Sequence, residues 1–163
     1  MKNGFLIILS ILSFQVSQAQ TDTTAPFRKY PVIPPIVLLQ TDSTVLTKES
    51  LKKNQQTMIM YFSPECEHCK HQMEDMIKQM SVLKKYQIVM ATYQPMLEIK
   101  QFYQTYQLSK YSNIRMGRDT KYMLPPFYRM RNMPYMALYD AKGNLITTFE
   151  GNVKIEKIIE AFK

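Results

Sequence analysis

A continuous apolar run, Thr57 to Phe62 (TMIMYF), leads directly into Ser63-Pro64 and then Cys66-Glu67-His68-Cys69. An apolar run of that length without alternation reads as a strand buried on both faces. Ser63-Pro64 supplies an N-cap and a first-turn proline for a helix, and Cys69, Met73, Met76, Met80 and Leu83 recur at steps of four, three, four and three along its apolar face. The cysteine pair thus falls at the junction of a buried strand and an amphipathic helix. There a helical turn brings two Cβ atoms three residues apart near disulfide-bonding distance.

The two sulfurs are not equivalent in that setting. With Ser63 as cap, Cys66 lies in the first turn, where free backbone N–H groups and the helix dipole favour a thiolate. Cys69 opens the apolar stripe and is expected to be buried. Cys66 is therefore read as the nucleophile and Cys69 as the resolving thiol of a disulfide exchange that passes through a mixed disulfide. His68, between them, is placed to favour the Cys66 thiolate, and Glu65 and Glu67 oppose it, so the direction of electron flow is left open.

The rest of the chain alternates strands and helices. Ile36 to Leu39, a turn at Thr41-Asp42-Ser43 and Thr44 to Leu46 read as a short hairpin, and Thr47 caps a short helix through Lys52. Gln87 to Tyr93 is a second buried strand, followed by Pro95 and a helix with Ile99, Phe102, Tyr103 and Tyr106 on its apolar side, which makes a parallel crossover unit. Met136 to Tyr139 and Leu145 to Phe149 form a hairpin whose turn places Gly143 where a positive φ is needed. A last helix starts near Asn152 and carries Ile155, Ile158, Ile159 and Phe162 on one side.

The N-terminus bears on the compartment. Lys2, the apolar stretch Phe5 to Phe14 and the small residues Ser17 and Ala19 have the form of a signal peptide cleaved after Ala19, residues 1–19. Residues 20–35 are polar and then Pro-rich, and read as a tether or irregular lead-in; residues 36–163 are the folded domain. Export, most simply to a periplasm, puts the cysteine pair in an oxidising compartment. With 163 residues, 45% hydrophobic and 21% charged, the chain is sized for one domain. Its two cysteines exclude a disulfide-rich scaffold and a four-thiolate zinc site.

These features together resemble the thioredoxin fold, and most of all the exported TlpA-like thiol:disulfide oxidoreductases, over Ile36 to Phe162. The resemblance rests on TMIMYF, on SPECEHC with its helix, on the crossover, and on Asn132-Met133-Pro134 entering the final hairpin. It implies an α/β fold with a central mixed sheet flanked by helices, here with an extra N-terminal hairpin. It also implies a cis proline at Pro134 lying against the cysteine pair, with the backbone of Met133 pairing with substrate. Catalytic residues would be Cys66, Cys69, His68 and Pro134. Substrates would be protein thiols and disulfides, with a separate partner protein to recharge the pair; no cofactor, metal or nucleic acid is expected, and the N-terminus leaves a membrane-proximal position open. Three positions depart from the family pattern: Glu65 replaces the usual tryptophan, Met60 a buried aspartate, and Met133 the usual threonine.

The same residues admit other uses. Cys66, Cys69, His68 and His71 would also suit Cu(I) or Zn(II), which gives an alternative reading as a metal-handling or non-catalytic binding protein. The 13 methionines fit a core better, since Met73, Met76 and Met80 follow the helix stripe. Glu74 and Asp75 lie on the cysteine-bearing helix without a clear role as proton acceptor for Cys69. Between Ser109 and Arg131, six Lys and Arg residues oppose Asp119 alone, among Tyr111, Tyr122, Phe127 and Tyr128. That segment reads as a solvated face or a docking surface for an acidic partner.

Overall fold

The computed structural model describes residues 25–163; the expected signal peptide lies outside them. A short helix α1 (Pro26–Lys29) precedes the hairpin β1 (Val37–Gln40) and β2 (Val45–Thr47). Then follow β3 (Thr57–Tyr61), α2 (Glu67–Lys78), α3 (Met80–Leu83), β4 (Gln87–Thr92), α4 (Met96–Thr105), β5 (Ile114–Asp119) and α5 (Leu124–Tyr128). The chain closes with β6 (Tyr135–Tyr139), β7 (Leu145–Glu150) and α6 (Ile155–Ala161). One mixed sheet runs in the order β2-β1-β5-β4-β3-β6-β7. β3, β4 and β5 are parallel and joined by helical crossovers, and the flanking pairs are antiparallel.

The central strands divide their side chains between two cores. Met58 and Met60 of β3 join Cys69, Met73, Met76, Ile99, Phe102, Ile155 and Ile158 on the face covered by α2, α4 and α6. Ile59 and Tyr61 join Val89, Ala91, Tyr135, Tyr139, Leu124 and Tyr128 on the other. Every residue of β3, β4 and β6 is buried, as expected of strands covered on both faces. On the second face Tyr128 and Tyr139 share a hydrogen bond between hydroxyls.

Four expectations are corrected. The cysteine-bearing helix starts three residues later than Ser63-Pro64 suggested: it runs from Glu67, with Cys66 itself as N-cap, and it breaks at Gln79 before α3. The segment after Thr47 is a single 3-10 turn, Lys48–Ser50, closed by reciprocal hydrogen bonds between Thr47 and Ser50. The last helix begins at Ile155 rather than near Asn152. Finally, residues 25–35 are not a loose lead-in: Ala25 and Ile33 are buried, and the Ile33 and Leu145 N–H groups bond to the carbonyls of Gly143 and Pro31 at 3.0 and 2.8 Å, which zips this stretch to the final hairpin.

One strand has no counterpart in the sequence reading. β5 occupies the middle of the segment taken as a solvated basic face, and it carries the N-terminal hairpin on its outer edge. The Arg115 guanidinium donates to the Ser50 carbonyl at 2.9 Å and to Gln87 Oε1 at 3.3 Å, and Arg118 Nε donates to the Tyr93 carbonyl at 3.1 Å. Two of the six basic residues are thus pinned to the sheet, while Lys110, Lys121, Arg129 and Arg131 remain exposed.

Candidate active site

β3 ends beneath the site, and Ser63, Pro64 and Glu65 turn the chain so that Cys66 heads α2. The Cys66 N–H bonds to the Ser63 carbonyl at 3.1 Å, and Ser63 Oγ accepts a hydrogen bond from Gln94 at 3.3 Å. Cys66 does the work usually given to a serine or aspartate cap. Its sulfur accepts the Cys69 N–H at 3.3 Å, so one of the helix's orphan donors is spent on the sulfur that reads as nucleophile. Both cysteines are free thiols; Cys66 is partly exposed and Cys69 buried.

Burial, reinforced by the hydrogen bond to Cys66, pushes the Cys69 thiol well above its ordinary value of 9.0. Desolvation disfavours the charged form, so Cys69 stays protonated at neutral pH. Among the described residues no carboxylate is hydrogen-bonded to it. Glu74 and Asp75 are exposed, and Asp75 pairs with Lys78 at 2.9 Å.

Across from the cysteines, the Met133–Pro134 peptide bond is cis. The Met133 carbonyl faces Cys66, whose thiol donates to it at 3.8 Å. Pro134 is buried and its carbonyl accepts the Gly151 N–H at 2.8 Å. The four positions Cys66, Cys69, Met133 and Pro134 therefore meet at one place. His68 does not join them through its ring: it is exposed, and among the described residues no hydrogen bond links its imidazole to Cys66. His71 is exposed as well. Among the described residues no cluster of three or more His, Cys, Asp or Glu has metal-binding geometry.

Two supports of the site escaped the sequence reading. Gln72, fully buried in α2, donates to the Val153 carbonyl at 3.1 Å and accepts the Val153 N–H at 2.8 Å. Asn152 donates to the His68 carbonyl at 2.7 Å. Together they clip the segment before α6 to the first turns of α2. A polar Gln between Cys69 and Met73 was the available signal, since a buried amide needs partners for both its ends.

Residues 45–163 match the family described as a thioredoxin-like domain. No curated protein is similar enough in sequence to count as a relative. Among solved structures, StoA from Bacillus subtilis is 17% identical, with a TM-score of 0.61 over 80% of this chain and 98% of its own. A secreted Mycobacterium tuberculosis disulfide oxidoreductase homologous to E. coli DsbE is 14% identical, with a TM-score of 0.64 over 78% of this chain and 94% of its own. The exposed lipoprotein thioredoxin Etrx1 of Streptococcus pneumoniae is 18% identical, with a TM-score of 0.62 over 77% and 95%. At these identities the likeness is one of fold.

Proposed function

The chain belongs to the thioredoxin-like domain family, and from that premise we propose that it is an exported thiol:disulfide oxidoreductase acting on protein thiols through Cys66 and Cys69. The observation that carries this reading is the asymmetry of the pair. A partly exposed sulfur caps a helix, and a buried thiol sits one turn behind it.

In the reducing direction, the Cys66 thiolate attacks one sulfur of a substrate disulfide. A Cys66–substrate disulfide forms, and the other substrate sulfur leaves as a thiolate. Cys69 then attacks Cys66, closing the Cys66–Cys69 disulfide and releasing the second substrate sulfur, and the Cys69 proton ends on a released substrate sulfur. Two electrons pass to the substrate, and a recharging partner protein returns them. The oxidising direction is the same path reversed. The helix-end N–H that Cys66 accepts stabilises the attacking and leaving sulfur alike. The Met133 carbonyl, beside Cys66, is the backbone acceptor for an incoming substrate strand, and Pro134 holds that loop against the pair. His68, exposed beside Cys69 at the start of α2, makes no hydrogen bond to Cys66 among the described residues and is assigned no step in this reading.

Residues 1–19 serve as the export signal and 36–163, with residues 25–35 packed against them, as the catalytic domain. Neighbours of the same fold include proteins described as secreted or surface-exposed, which supports export. The test is turnover of a disulfide substrate by three proteins. The wild type exchanges; Cys66→Ser is inactive; Cys69→Ser accumulates a mixed disulfide at Cys66. Full activity of Cys66→Ser overturns the mechanism.

A further inference from the structure

On the side of the Met130–Met133 loop that the mechanism does not use lies a pocket of about 170 Å³ walled by Tyr61, Tyr93, Tyr122, Pro125, Met130 and Met133. Three features set it apart from ordinary surface. Tyr61 is 2% exposed, yet its hydroxyl is shut off from water without a hydrogen-bond partner. A buried polar group in that state calls for an explanation, and an acceptor delivered by a ligand is one. Tyr93 and Tyr122 are 41% and 54% exposed and pack edge to face at 5.5 Å. Their backbones are held, Tyr93 through its carbonyl to Arg118 at 3.1 Å and Tyr122 through its N–H to the Asp119 carbonyl at 3.1 Å. Exposed aromatic rings on a held backbone are what an interface uses to anchor a partner.

Arg131 and Asn132 of the same loop also line a larger recess of about 520 Å³, where Arg28, Arg129 and Arg131 face a single acid, Glu150. Met133 links the pocket to the reacting centre: it lines the pocket and presents its carbonyl to Cys66.

We propose that this surface selects the protein substrate. An extended segment next to the reacting cysteine seats an aromatic or large apolar side chain among Tyr61, Tyr93 and Tyr122, displaces the side chains that close off the Tyr61 hydroxyl and so brings an acceptor to it, and places carboxylates against Arg28 and Arg131. This rests on the oxidoreductase reading and narrows its substrate class to acidic segments with an apolar anchor. The formal charge of +8 favours such a partner. A second copy of the chain fits poorly, since it brings the same arginines to the same face.

The test uses reduced full-length mature protein and short peptides, each with one central cysteine carried as a mixed disulfide with thionitrobenzoate. One peptide has tyrosine and then carboxylates on both sides of the cysteine, so either chain direction presents the same groups. A control has serine and lysine instead, and glutathione on the same leaving group is the small reference. Cys66 displaces thionitrobenzoate and takes the peptide as a mixed disulfide; Cys69 loses its proton, displaces the peptide thiol and closes the protein disulfide. The expected result is a second-order rate about tenfold higher for the tyrosine-acid peptide than for the control, as anchor residues command.

Tyr122→Asn, which keeps a residue suited to the φ of 49° found there, and Arg131→Glu each bring that ratio close to one. Tyr61→Phe lowers it about threefold, as loss of one hydrogen bond to a ligand should. A wild-type ratio near one, with release from the glutathione reference intact, overturns this inference and leaves the oxidoreductase reading standing. So does a ratio that survives both Tyr122→Asn and Arg131→Glu. Self-association of the wild type that is lost in Tyr122→Asn assigns the patch to a second copy and also overturns it. Absence of release from every conjugate overturns the oxidoreductase reading itself.

Discussion

The sulfur of Cys66 accepts the backbone N–H of Cys69 at 3.3 Å, so the residue proposed to attack is also the cap of the helix that carries its resolving partner. Catalysis and helix stability are therefore tied at one atom. In the reduced protein, Cys66→Ala removes the cap and Cys66→Ser keeps an oxygen able to take its place. Both variants are expected to be inactive. Urea denaturation is expected to show the alanine variant about 0.5–2 kcal/mol less stable than the serine variant; equal stabilities would mean that the sulfur contributes nothing as a cap.

The buried Gln72 and the partly buried Val153 exchange two hydrogen bonds. Gln72→Leu keeps most of the volume and strands a backbone N–H and a carbonyl. The expected loss is about 2 kcal/mol, about 1 kcal/mol for each unpaired group, the low end for buried groups because Val153 is only partly buried. A shift of the urea midpoint too small to resolve would show that water reaches Val153.

Burial raises the Cys69 thiol above its ordinary 9.0 in the folded, reduced protein. As pH rises, the unfolded chain loses that proton first, so the folded state binds more protons and stability declines. The contribution is complete below pH 9 and is lost above it. The buried tyrosines Tyr61, Tyr128 and Tyr139 are raised from 10.0 in the same sense, but they and Cys66 are present in both the reduced wild type and reduced Cys69→Ser and cancel in a comparison. The stability of the reduced wild type relative to reduced Cys69→Ser is expected to be flat below about pH 9 and to fall above about pH 9. A difference that stays constant to higher pH would place Cys69 in contact with solvent.

The unpartnered hydroxyl of Tyr61 makes a stability prediction independent of any substrate. Removing a buried hydroxyl that has no partner relieves its desolvation cost. Tyr61→Phe is expected to be more stable than the wild type by about 1 kcal/mol, measured by urea or thermal unfolding; destabilisation would reveal a water bound at that hydroxyl.

The parts of the fold visible in the sequence are those written as uninterrupted or periodic apolar patterns. β3 and β4, the Cys69–Leu83 stripe and the final hairpin all follow from such runs, whereas the cis proline at 134 was implied only by the resemblance to thioredoxin-fold proteins. β5 was hidden because Ile114 to Asp119 reads IRMGRD. Two arginines and a glycine mask its strand character, and both arginines find partners on neighbouring segments instead of in water. Gly117 is required there by a neighbour that sequence does not show: a Cβ would come within 2.9 Å of both the Leu38 Cβ and the Leu39 carbonyl oxygen.

The start of α2 was misplaced for a related reason. Ser63-Pro64 has the composition of a cap and first turn, but tertiary contacts place Ser63 in a turn and hand the cap to Cys66. The Gln72–Val153 clip and the tyrosine pocket unite residues from distant parts of the chain, so no local pattern announces them.

The central claim is that Cys66 and Cys69 form a reversible two-electron couple, and the most direct test is its equilibrium. The chain has no tryptophan, so the usual fluorescence change is absent. Thiols are instead trapped with a mass-shifting alkylating agent after equilibration across defined glutathione and dithiothreitol ratios. One transition is expected, in which both cysteines gain or lose the label together, at a potential between about −120 and −270 mV. Its position within that range gives the direction of electron flow. Labels that change independently, or a pair that never cycles within the range, would contradict a disulfide-exchange function.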